Sequence, residues 1–129
     1  MASADSPLDG ERILLCVCGG IAAYKSADLV RRLRDAGARV RVAMTDSATR
    51  FVGTTTFQAV SGETVRTTLW DPAAEAAMGH IELARWATRV LVAPATANTM
   101  AKLAHGFADN LVTTLCLATT APLALAPAM

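Results

Sequence analysis

Cysteine is scarce in this chain. The three present, Cys16, Cys18 and Cys116, are too few for a disulfide scaffold and show no metal-ligand spacing. With only two histidines beside them, no metal site is expected. Charge is also sparse, at 18% of residues, and 12 Lys and Arg against 11 Asp and Glu leave a net charge of +1. The basic residues are scattered along helical segments rather than gathered in blocks, so no nucleic-acid partner is expected. No apolar run reaches the ~18–20 residues of a membrane span, so no membrane partner is expected either, and the 53% hydrophobic content reads as core. The opening MASADSPLDGE has neither the basic region nor the apolar region of a secretory signal. Residues 1–11 are therefore expected to be a disordered tail, residues 12–129 a single domain, and the location cytoplasmic.

What is there is an alternation of apolar runs with helical patterns. Ile13 to Val17 has strand length, and Ala23, Ala27, Val30 and Leu33 then recur at helical spacing up to Gly37, the expected C-cap. Val40 to Met44 reads as a second strand. TDSATRF follows as a short helix capped by Thr45 or Asp46, and TTTFQAVSGETV as another closed at Gly62. Val90 to Ala93 is a third strand, expected to end at Pro94. Thr96 to His105 is a helix stopped by Gly106, and Leu111 to Ala118 a helix entered through Asp109 or Asn110. Leu123 to Ala126 is a last apolar strand. Unbroken apolar strands separated by helices imply a parallel sheet covered on both faces, a doubly wound α/β sandwich of Rossmann-like or flavodoxin-like type.

In such a fold ligands sit in the crevice at the carboxyl ends of the strands. Three loops should meet there. In Cys18-Gly19-Gly20-Ile21 the missing side chains let backbone N–H groups approach an anion at the positive end of a helix, although a glycine pair also serves a plain tight turn. It is not the dinucleotide fingerprint G-x-G-x-x-G. Met44-Thr45-Asp46 offers a hydroxyl and a carboxylate to a phosphate or a ribityl hydroxyl, or a helix cap. In APATANTMAKLAHG the small residues and Thr96, Asn98 and Thr99 suit a flat ligand lying against backbone, while Thr96 or Asn98 could equally cap the helix. His80, after Gly79 at the start of a helical pattern, is the candidate acid–base group, expected to point from a mobile turn. His105, beside Gly106, reads as a helix-terminal cation.

Together GGIAAYKSADLVRRL, MGHIELARWA, APATANTMAKLAHGFADNLVTT and the terminal APAM resemble the flavin-dependent cysteine decarboxylase family, from about Arg12 to Met129. The likeness is strongest to those members acting on 4′-phosphopantothenoylcysteine in coenzyme A biosynthesis. The resemblance implies a non-covalent FMN held by Gly19, Gly20 and Ile21, by Thr45, and by Thr96, Ala97, Asn98 and Thr99, with His80 at the position of the family's catalytic histidine. It further implies oxidation of a small-molecule substrate's cysteinyl thiol at the flavin, loss of its carboxylate as carbon dioxide, and return of the electrons to the product. Homotrimers, often grouped into dodecamers, are implied as well; Met78, Trp86 and Phe107 are apolar residues that would line such an interface or else be ordinary core positions, Trp86 at least as readily the latter.

Two departures from the family pattern qualify what the resemblance implies. Cys18 stands where many relatives place Ser or Thr, which would weaken a hydroxyl contact to phosphate; otherwise it is a small buried hydrophobe beside Cys16. The family's PAMN asparagine would be the residue after Met129, and the proton-donating cysteine and the last strand–helix unit would lie beyond it. The expectation is therefore a C-terminally truncated domain whose decarboxylation is impaired when alone. The alternative is an inactive FMN-binding or regulatory module that assembles with a partner chain.

Overall fold

The computed structural model describes residues 6–128. Its elements run in the order β1 (Arg12–Val17), α1 (Ala23–Asp35), β2 (Arg39–Met44), a 3-10 turn (Ser47–Arg50), α2 (Thr54–Ser61), α3 (Pro72–Ala77), α4 (His80–Trp86), β3 (Arg89–Ala95), α5 (Ala97–Ala104), α6 (Leu111–Ala118) and β4 (Leu123–Pro127). The strands form one parallel sheet in the order β2-β1-β3-β4. The chain therefore winds outward from β1 in one direction to β2 and in the other to β3 and β4. That reversal makes the carboxyl end of β1 the switch point of the sheet.

Alternation along β1 divides the core. Ile13, Leu15 and Val17 face one side with Val30, Val40, Val42 and Phe57, beneath α1 and α2. Leu14, Cys16 and Cys18 face the other with Leu83, Val90, Leu111 and Leu115, beneath α4 and α6. Each strand near the centre must be apolar on both faces, which is why these runs lack the polar alternation of a half-solvated sheet. The doubly wound fold is thus the one expected.

Several local expectations need correction. Residues 6–11 are not a disordered tail: Leu8 packs on the core, its N–H bonds to the Ala36 carbonyl at 2.9 Å, and the Glu11 carboxylate accepts from Thr88 and Arg89. Residues 1–5 and Met129 lie outside the described residues. Strand β3 does not stop at Pro94 but continues to Ala95. The ladder to β4 shifts register between Val92 and Ala95, where the proline has no N–H to donate. Helix α1 ends at Asp35, and Gly37 follows in the left-handed region at φ +105, donating to the Arg34 carbonyl. Gly62 closes α2 in the same way at φ +72. Strand β4 is exposed along its whole length, Leu123 and Leu125 at 41% each, because among the described residues it pairs on one side only. Helix α3 has no counterpart in the sequence reading; Asp71 caps it and Pro72 opens it.

Among the described residues no helix is long and apolar enough to cross a membrane. The packing on the α1–α2 face leads to a direct expectation. Phe57 is fully buried there, so Phe57→Ala should lower unfolding free energy by about 3–5 kcal/mol. Trp70, 85% exposed, should tolerate Trp70→Ala within about 0.5 kcal/mol. Urea denaturation of the two variants checks both; equal losses would contradict the assigned core.

Candidate functional site

Three loops converge at the carboxyl end of β1. The Cys18 N–H donates to the Pro94 carbonyl at 3.3 Å and its Sγ to Thr99 Oγ1 at 3.2 Å, which ties the first loop to the third. The Thr45 N–H donates to the Val17 carbonyl at 3.0 Å, which ties in the second. The first and second loops also touch at Gly19. A Cβ there would lie 2.5 Å from Ser47 Cβ and 2.8 Å from its carbonyl carbon, so only glycine admits the approach. Ser47, exposed at the start of the 3-10 turn, is a member of this cluster that the sequence reading missed; nothing in the local pattern sets it apart from any turn serine.

The beginning of α1 is unlike a finished helix end. Its N-cap is Ala22, with no side-chain cap and no acidic residue in the first turn. The N–H groups of Gly19, Gly20 and Ile21 donate to no acceptor among the described residues, while the Gly20 carbonyl already receives the Ala23 N–H. Ile21 itself is 75% exposed. In the other two loops the caps are filled. Thr45 Oγ1, and not Asp46, accepts the Ala48 N–H at 3.1 Å. Thr96 Oγ1, and not Asn98, accepts the Thr99 N–H at 3.3 Å.

Of the candidates on the third loop, Ala97 and Asn98 face solvent. Thr99 is buried, and its hydroxyl accepts from both Cys18 and Thr96. That hydroxyl pins the first loop to the third by accepting both bonds, which fills its acceptor sites. Cys18 is buried on the same core face as Cys16, as a small apolar residue would be. Beyond Thr45 and Asp46 a cleft of about 300 Å³ runs to Asp109 and Asn110, floored by Thr67 and Thr68. Asn110, and not Asp109, caps α6 through a reciprocal pair of bonds with Thr113. Asp109 instead takes a 2.9 Å ion pair from Lys102, which holds its carboxyl below the usual range.

His80 is not bonded to any of the three loops. It opens α4 in a half-buried position, not a mobile turn, with Nδ1 3.1 Å from Glu75 Oε1 and 3.3 Å from Oε2. Glu75 Oε1 also accepts from Arg66 Nη2 at 2.9 Å, and Arg66 Nη1 donates to the Met78 carbonyl at 2.6 Å. The Arg66 backbone is in turn paired to β2, donating to Val42 at 3.0 Å and accepting from Met44 at 2.8 Å. A buried arginine thus links the histidine to the strand end that carries Thr45. Met78 and Trp86 are partly buried and pack against the core, and Trp86 lies under the guanidinium groups of Arg39 and Arg41. Phe107 is exposed.

Comparison with known proteins points in one direction. The Flavoprotein family model matches residues 1–129. The bifunctional coenzyme A biosynthesis protein CoaBC of Escherichia coli (strain K12) is 61% identical over 122 residues, 95% of this chain and 30% of that protein. The CoaBC of Bacillus subtilis (strain 168) is 50% identical over the same share. The chain spans about 30% of the length of these curated relatives. Among solved structures, the FMN-dependent cysteine decarboxylase TvaF of thioviridamide biosynthesis superposes with a TM-score of 0.80 at 34% identity, over 93% of this chain and 74% of that one. A PPC decarboxylase mutant complexed with pantothenoylaminoethenethiol gives 0.73 at 33%, over 92% and 67%.

Two expectations arise from the geometry alone. Gly19→Ala should cost about 1–3 kcal/mol, since its Cβ overlaps backbone as well as the Ser47 side chain; denaturant titration would show it, and an unchanged midpoint would contradict the contact. The Glu75 carboxyl is held below the usual glutamate range, chiefly by the hydrogen bond from His80, with partial burial opposing and Arg66 assisting. A depressed carboxyl favours the folded state once ionised. The stabilisation is therefore complete above the ordinary glutamate value and lost as pH falls through the lowered one. Thermal melts of Glu75→Gln should accordingly lie below the parent at pH 7, with the gap narrowing only as pH falls below the ordinary glutamate value of about 4.3. A gap that persists in acid would refute the assignment.

Proposed function

The chain belongs to the Flavoprotein family, and on that premise we propose that it is an FMN-binding domain that decarboxylates 4′-phosphopantothenoylcysteine to 4′-phosphopantetheine in coenzyme A biosynthesis. The observation that carries the reading is the open start of α1. An uncapped helix end with no acid in its first turn, and with unbonded N–H groups on Gly19, Gly20 and Ile21, has the donors and the dipole direction a phosphate needs. The residues therefore fit the terminal phosphate of FMN. Thr45 and Ser47 stand beside that turn with hydroxyls suited to the phosphate or the ribityl chain. Ala97 and Asn98, small and exposed at the start of α5, suit the edge of a flat ring, with Thr96 and Thr99 setting the backbone they sit on.

Bound FMN would supply a reversible two-electron store, which the protein side chains lack. The chain's own part is to place the substrate and move protons. His80 is the base for the cysteinyl thiol, with a carboxylate on its Nδ1 side. The relatives support the substrate class: CoaBC proteins are named for coenzyme A biosynthesis, and the PPC decarboxylase structure holds pantothenoylaminoethenethiol. A cytoplasmic location and assembly as a homotrimer, or a dodecamer of trimers, belong to the same reading. Exposed Ile21, Tyr24 and Phe107 are the apolar groups available for such contacts.

Titration with FMN should quench flavin fluorescence on binding. Gly20→Asp should abolish binding, because a carboxylate would fill the turn and repel the phosphate. His80→Asn should keep FMN binding and reduce release of carbon dioxide from phosphopantothenoylcysteine by about 10²–10⁴-fold. Failure to bind FMN, or undiminished binding by Gly20→Asp, would reject the phosphate assignment. Full turnover by His80→Asn would reject the base.

A further inference from the structure

We propose that Glu75 is the positioning residue for His80: it holds the imidazole as the Nδ1–H tautomer, and so leaves Nε2 bare to take the substrate's proton. The inference deepens the preceding reading, in which His80 is the base, and adds the residue that sets its chemistry. An ionised carboxylate can only accept hydrogen bonds, so the ring nitrogen lying 3.1 and 3.3 Å from the two Glu75 oxygens must be the one bearing hydrogen. In a neutral imidazole the other nitrogen is then the acceptor. The lowered carboxyl of Glu75 keeps that acceptor ionised at neutral pH.

The arrangement is built rather than incidental. Arg66 is 8% exposed and grips the Glu75–Met78 stretch at both ends, by Glu75 Oε1 at 2.9 Å and the Met78 carbonyl at 2.6 Å. Its backbone is paired to β2 through Val42 and Met44. Gly79 keeps the space clear, since a Cβ there would stand 3.2 Å from Glu75 Oε2. Strand β1 and helix α6, which pack on α4, carry only Arg12, Cys16 and Cys116 as titratable groups, and none is bonded to His80. On α4 itself Glu82 and Arg85 are exposed and make no bond to the ring. Glu75 is therefore the acid that sets the tautomer, with Arg66 fixing its direction.

Nitrogen-15 NMR of the chain labelled at histidine tests this directly. Spectra are taken near pH 8, where an ordinary imidazole is neutral, and His80→Asn assigns the resonances against His105. The parent should show His80 with Nδ1 protonated and Nε2 bare. In Glu75→Ala the Nδ1–H to Nε2–H ratio should fall by roughly tenfold or more, the loss of a hydrogen bond to a charged group. Should that variant fail to fold, Glu75→Gln, which keeps the shape but exchanges one acceptor for a donor, should still raise the Nε2–H form. With FMN bound, kcat should fall in step with the ratio while the KM for phosphopantothenoylcysteine and the FMN Kd stay put. An unchanged ratio in either folded variant overturns the proposal, including when kcat falls, because that pattern marks a merely structural contact. A shifted ratio with unchanged kcat also overturns it. If His80→Asn alone retains turnover, the base reading fails by itself, and the ratio still decides whether Glu75 sets the tautomer.

Discussion

The contact between Gly19 and Ser47 is the constraint on which the site depends. A turn leaving the central strand has to pass within van der Waals range of the backbone that follows β2, and no side chain fits between them. Two consequences follow from that closeness. The turn is short enough that the N–H groups of Gly19, Gly20 and Ile21 reach no carbonyl of the described chain. It also delivers them directly onto the start of α1, where the dipole end is positive and uncapped. A wider turn would have room to satisfy its own donors. The unbonded N–H groups are thus a result of packing at the switch point of the sheet.

The other polar cluster obeys a different rule. Arg66 is buried, and a buried guanidinium needs its charge balanced; both Nη groups are bonded here, while Nε has no partner among the described residues. Glu75 supplies the charge and the Met78 carbonyl a further acceptor, so the short link from α3 to α4 is bound to the edge of β2. Helix α3 is six residues of nearly featureless PAAEAA with no buried side chain. Its stability comes from Asp71, which caps two N–H groups, from Pro72, which is preset for a first turn, and from the arginine that holds its last turn. A helix too weak to stand by propensity is in this way made rigid enough to aim a carboxylate.

Which parts were legible in the sequence follows from the range of the interactions. Strands β1, β2 and β3 and helices α1, α2, α5 and α6 were visible because burial on two faces, or on one stripe, writes itself into local periodicity. The caps were visible only as pairs of alternatives. Asp46 is the N-cap of the 3-10 turn while Thr45 Oγ1 accepts the Ala48 N–H, and choosing Thr96 over Asn98 and Asn110 over Asp109 depends on backbone angles that the sequence does not display. Helix α3 was invisible for want of an apolar face, and β3 was cut short at Pro94 because the register shift that absorbs the proline depends on the neighbouring strand. For Met78 and Trp86 the sequence left interface and core both open, and the structure packs them partly buried against the core. The three-loop cluster was foreseeable from topology, but its members at Ser47, Thr67 and Thr68 were not. Arg66, Glu75 and His80 belong together through contacts spanning up to 12 residues in sequence and through the edge of a strand, beyond any local pattern.

These clusters share one reference frame. Met44, at the very end of β2, donates its N–H to the Arg66 carbonyl, and the next residue, Thr45, donates its own to Val17 at the end of β1. The glycine turn begins two residues after Val17, and the histidine is reached from Arg66 through Glu75. The glycine turn and His80 are therefore both positioned from the carboxyl ends of two adjacent strands whose ladder runs unbroken from Arg12 to Val17. Interiors at native packing density shift as units rather than yielding continuously. The separation between the glycine turn and His80 is consequently set by the sheet more than by the loops, so loop substitutions that spare the strand ends should leave it unchanged.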